Sequence, residues 1–366
     1  VNRGDHVVVV HLGRQTAKGE VRRVEGWAQV LEAAGMRTSL IRLLPENRAT
    51  ASDVVHNAAS LDWMGKTVPE ALSWSWRNVE AKLRRLEPDV VVIVSVRAFH
   101  PRLAGGSWLT LLDYVDQLSV SYSDRAAITG NPFKKVAVSA LGSFARRAET
   151  KHRPGIVTLS AGVSDAKALG AQWFPIVVDR QTLAAPSITH TEKTITKSDV
   201  LFVGSLSYEP NVEAVQRLAA LWPEVTAQRP EATAVIAGSS PSPLVRRLAS
   251  DMAGWELHED FDDLDALLSG AKLAVVPLRH ASGMQIKVLD AAGRGVPQIV
   301  DPVAMNGFDP DFPVARARDD GAFVREILRL LGDEEAQRRE GDAARRHVLE
   351  KYCPDHWASW LLQADL

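Results

Sequence analysis

The chain has 366 residues and one cysteine, Cys353, which excludes a disulfide framework and a cysteine-built zinc site and fits a reducing compartment. It lacks any apolar run near the roughly 18 residues needed to span a bilayer. Its opening, VNRGDHVVVVHLG, leads directly into a strand-like segment without the layout of a secretory leader. Neither sign of charge is in excess: 43 Lys and Arg against 45 Asp and Glu leave −2, which argues against general nucleic-acid binding. G-x-G-x-x-G and Walker loops are both missing, so neither a dinucleotide fingerprint nor a P-loop is present. These absences lead to the expectation of a soluble, cytoplasmic protein.

What is present is ample apolar material, 46% of residues, enough for two cores. A chain of this length suits two domains of about 150–200 residues. Strand and helix patterns alternate throughout, which predicts an α/β fold with parallel sheets. Strands are expected at 6–12, 38–42, 90–94, 119–122, 156–159 and 175–178, with helices at 21–34, 72–86 and 137–151. Further strands are expected at 199–203, 232–237, 255–258, 273–276 and 298–300, with helices at 211–222, 243–252, 264–268, 284–292, 321–331 and 334–352. The polar stretch 180–199 has one proline and no helical period, and reads as a linker.

The segment with the most chemistry is VPLRHASGMQIKVLDAAGRGVPQIVD, 276–301. A strand leads into a loop with Arg279, His280, Ser282 and Gly283, and then into a helix expected from Met284. A helix N-terminus has unpaired amides and the positive end of the dipole, so it attracts anions. Arg279 and Lys287 place two cations beside it, and Asp290 follows one turn beyond Lys287. Cations for phosphates and a carboxylate for sugar hydroxyls suit a nucleotide sugar.

LDAAGRGVP (289–297), LFVGSLSYEPN (201–211) and AVIAGSSP (234–241) together resemble the C-terminal signature of retaining GT-B glycosyltransferases of family 4, over about 197–350. The SYEPN form resembles that family's exopolysaccharide-type branch. The resemblance implies an α/β fold of two doubly wound Rossmann-like domains facing a cleft, the GT-B layout. Residues 1–185 would form the acceptor-side domain and 186–198 the linker. Residues 199–350 would bind the nucleotide sugar, and 351–366 would form a helix crossing back to the first domain. It also implies transfer of a sugar from a nucleotide-diphosphate donor to a hydroxyl acceptor with retention of configuration. The acceptor would be a saccharide, a lipid-linked compound or a small molecule. Neither a cofactor nor a catalytic metal is implied. Asp290 takes the position that holds the ribose, and Gly13, Gly204, Ser205, Tyr208, Asn211, Gly238, Ser282, Gly283, Met284, Gln285 and Ile286 line the donor. Three positions depart from the signature. Ser282 replaces its first Glu, while Ser205 and Pro210 replace the Arg and Lys that meet the diphosphate, leaving Arg279 and Lys287 as substitutes.

On the acceptor side, Asp113 and Asp116 fall near an expected strand end, where a carboxylate accepts a hydroxyl proton or simply caps a turn. His100 is the nearest counterpart of the histidine found on that side in many relatives. The acidic run 259–263 reads as helix N-terminal charge rather than a metal site. Segment 133–153 carries Lys134, Lys135, Arg146, Arg147, Lys151 and Arg153 against Glu149, and reads as a solvated helix face or a peripheral membrane contact. The tryptophan stripe of 354–366 reads as packing. Two rival readings remain. One is a non-catalytic GT-B protein that binds a nucleotide sugar or a partner enzyme, which Ser205, Pro210 and Ser282 favour. The other is a nucleotide-sugar 2-epimerase, which calls for a more acidic and histidine-rich site.

Overall fold

The computed structural model describes residues 1–13, 18–44, 48–53, 68–151, 153–184, 197–261, 263–281 and 283–364. The chain divides into two compact units. The first comprises Val1–Val177, Ser282–Met284 and Pro354–Leu366, and the second Val178–Ala281 and Gln285–Cys353.

The first unit is a six-stranded parallel sheet of β1 (His6–Leu12), β2 (Arg37–Leu43), β3 (Val90–Val94), β4 (Leu109–Asp113), β5 (Ile156–Ser160) and β6 (Gln172–Trp173). Its order is β2-β1-β3-β4-β5-β6. Its helices include α1 (Lys18–Ala33), α2 (Trp76–Leu86), α3 (Leu118–Ile128), α4 (Pro132–Thr150) and α5 (Val163–Leu169). Parallel strands covered on both faces read as unbroken apolar runs, as VVVV in β1 and VVVIV in β3 do. Successive side chains enter opposite layers, because the strand period is two. Val8, Val10, Val91 and Ile93 join one core cluster, while Val7, Val9, Val90, Val92 and Val94 join the other. The helix Pro354–Gln363 adds Trp357 and Leu361 to the second cluster, with Trp357 edge-on to Phe174 at 5.2 Å.

The second unit is also a six-stranded parallel sheet, in the order β12-β11-β10-β7-β8-β9. Its strands are β7 (Ser198–Val203), β8 (Ala234–Gly238), β9 (Trp255–Glu259), β10 (Ala271–Val276), β11 (Gln298–Val300) and β12 (Ala315–Arg316). Its helices include α6 (Glu209–Gln228), α7 (Pro243–Asp251), α8 (Leu264–Gly270), α9 (Ile286–Gly293), α10 (Asp320–Gly332) and α11 (Glu334–Lys351). Strand order reverses at β7/β10 here and at β1/β3 in the first unit. Open α/β sheets bind ligands outside the carboxyl ends of such switch-point strands. The loops after β7 and β10 hold the glycine loop 204–208 and the Arg279 segment.

Some local expectations need correction. Residues 119–122 are helical, within α3; the strand lies earlier, at Leu109–Asp113. The segment 175–178 is not a strand, and Pro175 lacks the N–H that a ladder needs. The helix expected over 72–86 is broken at Trp74 and Ser75, between a 3₁₀ turn (Pro69–Ser73) and α2.

Candidate functional site

In the second unit, the ends of β7 and β8 approach so closely that a Cβ on Gly238 would lie 1.7 Å from the carbonyl oxygen of Gly204. Only glycine permits that approach. The Gly204 amide donates to the Ala237 carbonyl at 3.0 Å. From this loop the chain enters α6 with Tyr208 as N-cap, its ring side chain 56% exposed. Asn211 therefore stands inside the first turn rather than capping it, and its amide donates to the Ser205 carbonyl at 2.9 Å. Ser205 is exposed, with its hydroxyl 3.5 Å from that of Ser207.

Lys287, in the first turn of α9, completes the cluster. Its ammonium donates to Asn211 Oδ1 at 2.8 Å and lies 4.6 Å from the ring centroid of Phe202. A Cβ on Gly204 would come within 3.0 Å of Lys287 Nζ. Burial lowers the pKa of this ammonium from 10.5 to about 7. A cation in a first helical turn also opposes the dipole. An anion arriving here would relieve both costs.

Arg279, in the loop after β10, is exposed and reaches Asp320 Oδ2 at 3.5 Å. Asp320 Oδ1 accepts from Arg217 Nε at 2.7 Å, and Arg217 Nη1 also donates to Asp301 Oδ2 at 2.8 Å. With Arg318, Asp319 and Gly321, these residues line a cavity of about 610 Å³. Sequence reasoning missed Arg217 and Asp320. The available signal was an arginine set among the buried apolar positions of a helix, which needs a partner to be buried. Asp290 is half-buried on α9, Gln285 is its N-cap and Ile286 its first residue. Ser282 lies outside the described residues.

In the first unit, Gly13 directly follows β1, and a Cβ there would lie 2.7 Å from Leu44 and 2.8 Å from Arg42 side-chain atoms. Residues 14–17 of its loop lie outside the described residues. Asp113 is fully buried at the end of β4. It accepts from Arg23 Nε at 2.6 Å, Arg23 Nη2 at 3.1 Å, Trp27 Nε1 at 2.7 Å and the Val115 amide at 3.0 Å. Four donors and no exposure make Asp113 a structural anchor for α1, which corrects its assignment as a proton acceptor. His100 is likewise buried, caps a 3₁₀ turn and stacks on Trp76 at 5.3 Å.

Asp116 is placed differently. It is half-buried, accepts from Ser121 Oγ at 3.1 Å, and has its pKa raised by burial, with Arg97 opposing the shift. Asp165, at the start of α5, accepts from the Gln117 amide at 3.3 Å, and burial beside Asp116 raises its pKa to about 6. Glu149 is also raised by burial. The backbone is strained at the same sheet edge: Ser95 after β3 has φ 76° and Val115 after β4 has φ 67°. A β-branched residue there is a real outlier, and such strain clusters at functional sites. Gly283 has φ 63°, and a Cβ on it would lie 3.2 Å from Asp116 Cβ. Met284 is buried, and its sulfur accepts from the Ile176 amide at 3.4 Å. Asp165, Arg97 and the strained pair were not found from sequence, since positive φ at Ser or Val leaves no sequence signal.

Among the described residues, no group of three or more His, Cys, Asp or Glu side chains is arranged to hold a metal ion. Asp263 caps α8 by accepting from the Ala266 amide at 2.9 Å.

Residues 197–333 match the family model of the glycosyl transferases group 1. No curated protein matches the chain by sequence. A glycosyltransferase from Rickettsia africae superposes with a TM-score of 0.66 at 10% identity, covering 99% of this chain and 98% of that one. Anabaena HepE, solved in complex with UDP, superposes with a TM-score of 0.58 at 11% identity, covering 98% of this chain and 99% of that one. TarM superposes with a TM-score of 0.59 at 10% identity over 80% of this chain, which spans only 59% of TarM. These likenesses, with the two parallel six-stranded sheets, give the chain the GT-B fold.

Proposed function

We propose that the chain is a retaining glycosyltransferase that moves a sugar from a nucleotide-diphosphate donor to a hydroxyl acceptor. The observation that carries this reading is Lys287, a half-buried, desolvated cation in a first helical turn, with no carboxylate among its hydrogen-bond partners in the described residues. It stands beside a glycine loop at the switch point of a sheet whose sequence matches the glycosyl transferases group 1. In this reading the diphosphate meets Lys287 and Arg279, the latter set by Asp320 and Arg217, and Asp290 holds the ribose. Fixed cations where negative charge develops on a leaving group usually lower the barrier to such transfer more than any other single effect. They also replace the cations missing at Ser205 and Pro210. The first unit supplies the acceptor side, with Asp116 taking the hydroxyl proton, since a raised pKa makes a carboxylate a better base near neutral pH. The nucleotide sugar is a co-substrate, and no cofactor is assigned.

Calorimetric titration with UDP, GDP, ADP, dTDP and their common sugars tests the donor site on wild type and Lys287→Ala. Binding that prefers one base and weakens roughly 10- to 100-fold in the variant is expected for loss of a charge-assisted contact. A folded protein that binds none of them would refute the reading. The absence of cations at Ser205 and Pro210 favours the second reading, a non-catalytic nucleotide-sugar binder. Nucleoside diphosphate release on adding acceptor mixtures to the bound donor decides between the two.

A further inference from the structure

Helix α4 has one face packed and another uncovered. Val138, Leu141, Gly142, Ala145 and Ala148 form the packed face, with Gly142 so close to α3 that a Cβ would lie 3.3 Å from Tyr122 Cβ. About a third of a turn away, Phe133, Val136, Ala137 and Ala140 recur at the i, i+3, i+4, i+7 spacing of an amphipathic stripe, and all four are exposed. Phe133 is 85% exposed and Val136 71%, more than any other large apolar side chain among the described residues. On the same helix Lys134, Lys135, Arg146 and Arg147 are exposed, Arg147 on the line of the stripe one heptad after Ala140 and Lys134 close to its edge, and the helix's one acid, Glu149, is buried.

We propose that this face of α4 docks the protein on an anionic lipid bilayer. Neither half of the pattern is explained by stability. Exposed Phe133 and Val136 bury little in the fold, and lysines in the first helical turn oppose the dipole. Together they match the two requirements of an interfacial helix, an apolar stripe that enters the headgroup boundary and flanking cations that meet anionic lipid. The helix is preformed for this: Asn131 Oδ1 accepts from the Phe133 amide at 3.0 Å and the Lys134 amide at 3.1 Å, and Pro132 opens the first turn. Charge disfavours a second copy of the chain as the occupant, because a two-fold contact through this face would set lysines and arginines against each other. The contact is peripheral, since among the described residues no helix is long and apolar enough to cross a membrane.

The test is flotation of the full chain with vesicles of phosphatidylcholine alone and of phosphatidylcholine with a third of the lipid as phosphatidylglycerol. The protein is expected to float with the anionic vesicles only, and to be released by high salt. The double variant Phe133→Ser with Val136→Ser should lower partitioning at least tenfold. Lys134→Ser with Lys135→Ser should lower it at low salt by roughly fivefold per cation. All four residues are exposed, so unchanged circular dichroism and melting temperature are expected for both variants. The proposal is overturned by absence of flotation, or by flotation equal in wild type and both variants. It is also overturned by a concentration-dependent dimer that the apolar double variant abolishes while vesicle binding persists. The nucleotide titration above is independent of these results, so failure of one leaves the other standing.

Discussion

Replacing Lys287 by methionine is expected to stabilise the ligand-free protein near neutral pH while removing donor binding. In the unfolded chain the ammonium holds its proton up to its ordinary pKa of 10.5, and in the folded chain only up to about 7. Between those values the unfolded state binds more protons, so the stability of the wild type rises with pH across that window. At pH 7 the folded protein carries a penalty of about three pKa units, on the order of 4 kcal/mol. Methionine removes the penalty and fills similar volume. The same change leaves Asn211 Oδ1 without its 2.8 Å donor, at about 1–3 kcal/mol. It also removes the contact over the Phe202 ring, about 1 kcal/mol. The net expectation is a gain of roughly 1 kcal/mol at pH 7. Near the top of the window the wild-type side chain is neutral, its penalty has gone and only the loss of the Asn211 hydrogen bond remains, so the variant becomes the less stable protein. Thermal unfolding of both proteins across that pH range should therefore give stability curves that cross. A difference that does not change with pH, or a variant less stable at every pH, would refute the burial argument for Lys287.

Asp113→Ala should lower stability by roughly 3–5 kcal/mol in chemical unfolding, because Arg23 is left buried without its partner. An effect under about 1 kcal/mol would show that the pair is not buried as described. Gly204→Ala sets a Cβ 2.7 Å from Asn211 Nδ2 and 3.0 Å from Lys287 Nζ. Nucleotide affinity should fall at least tenfold in calorimetry, and unaltered affinity would place the anion elsewhere. Asp165 has its pKa raised to about 6, so its contribution is fully present below the ordinary carboxylate pKa and lost as pH rises through about 6. Asp165→Asn should therefore be more stable than wild type at neutral pH, with the advantage shrinking on acidification; an advantage that grows at acid pH would reverse the assigned shift.

Parallel strands buried on both faces announce themselves as Val and Ile runs, which is why 6–12, 90–94 and 298–300 were legible to the residue. Local alternation without such a run misled: SVSY at 119–122 belongs to α3, whose helical form is fixed by packing against α4. The glycines at 204, 238 and 283 and the cations Arg279 and Lys287 stood out in the sequence because tight turns and close backbone approaches restrict residue type locally. Asp113 and Asp116 looked alike in sequence. Arg23 and Trp27, some ninety positions away, made one a closed anchor, while the other kept Ser121 as a partner and a raised pKa. The sequence alone determined the order of elements, the apolar layers and the charged groups available. Tertiary structure decided which of those groups are desolvated, paired or strained, because burial and partners are set by residues that meet only when the chain folds.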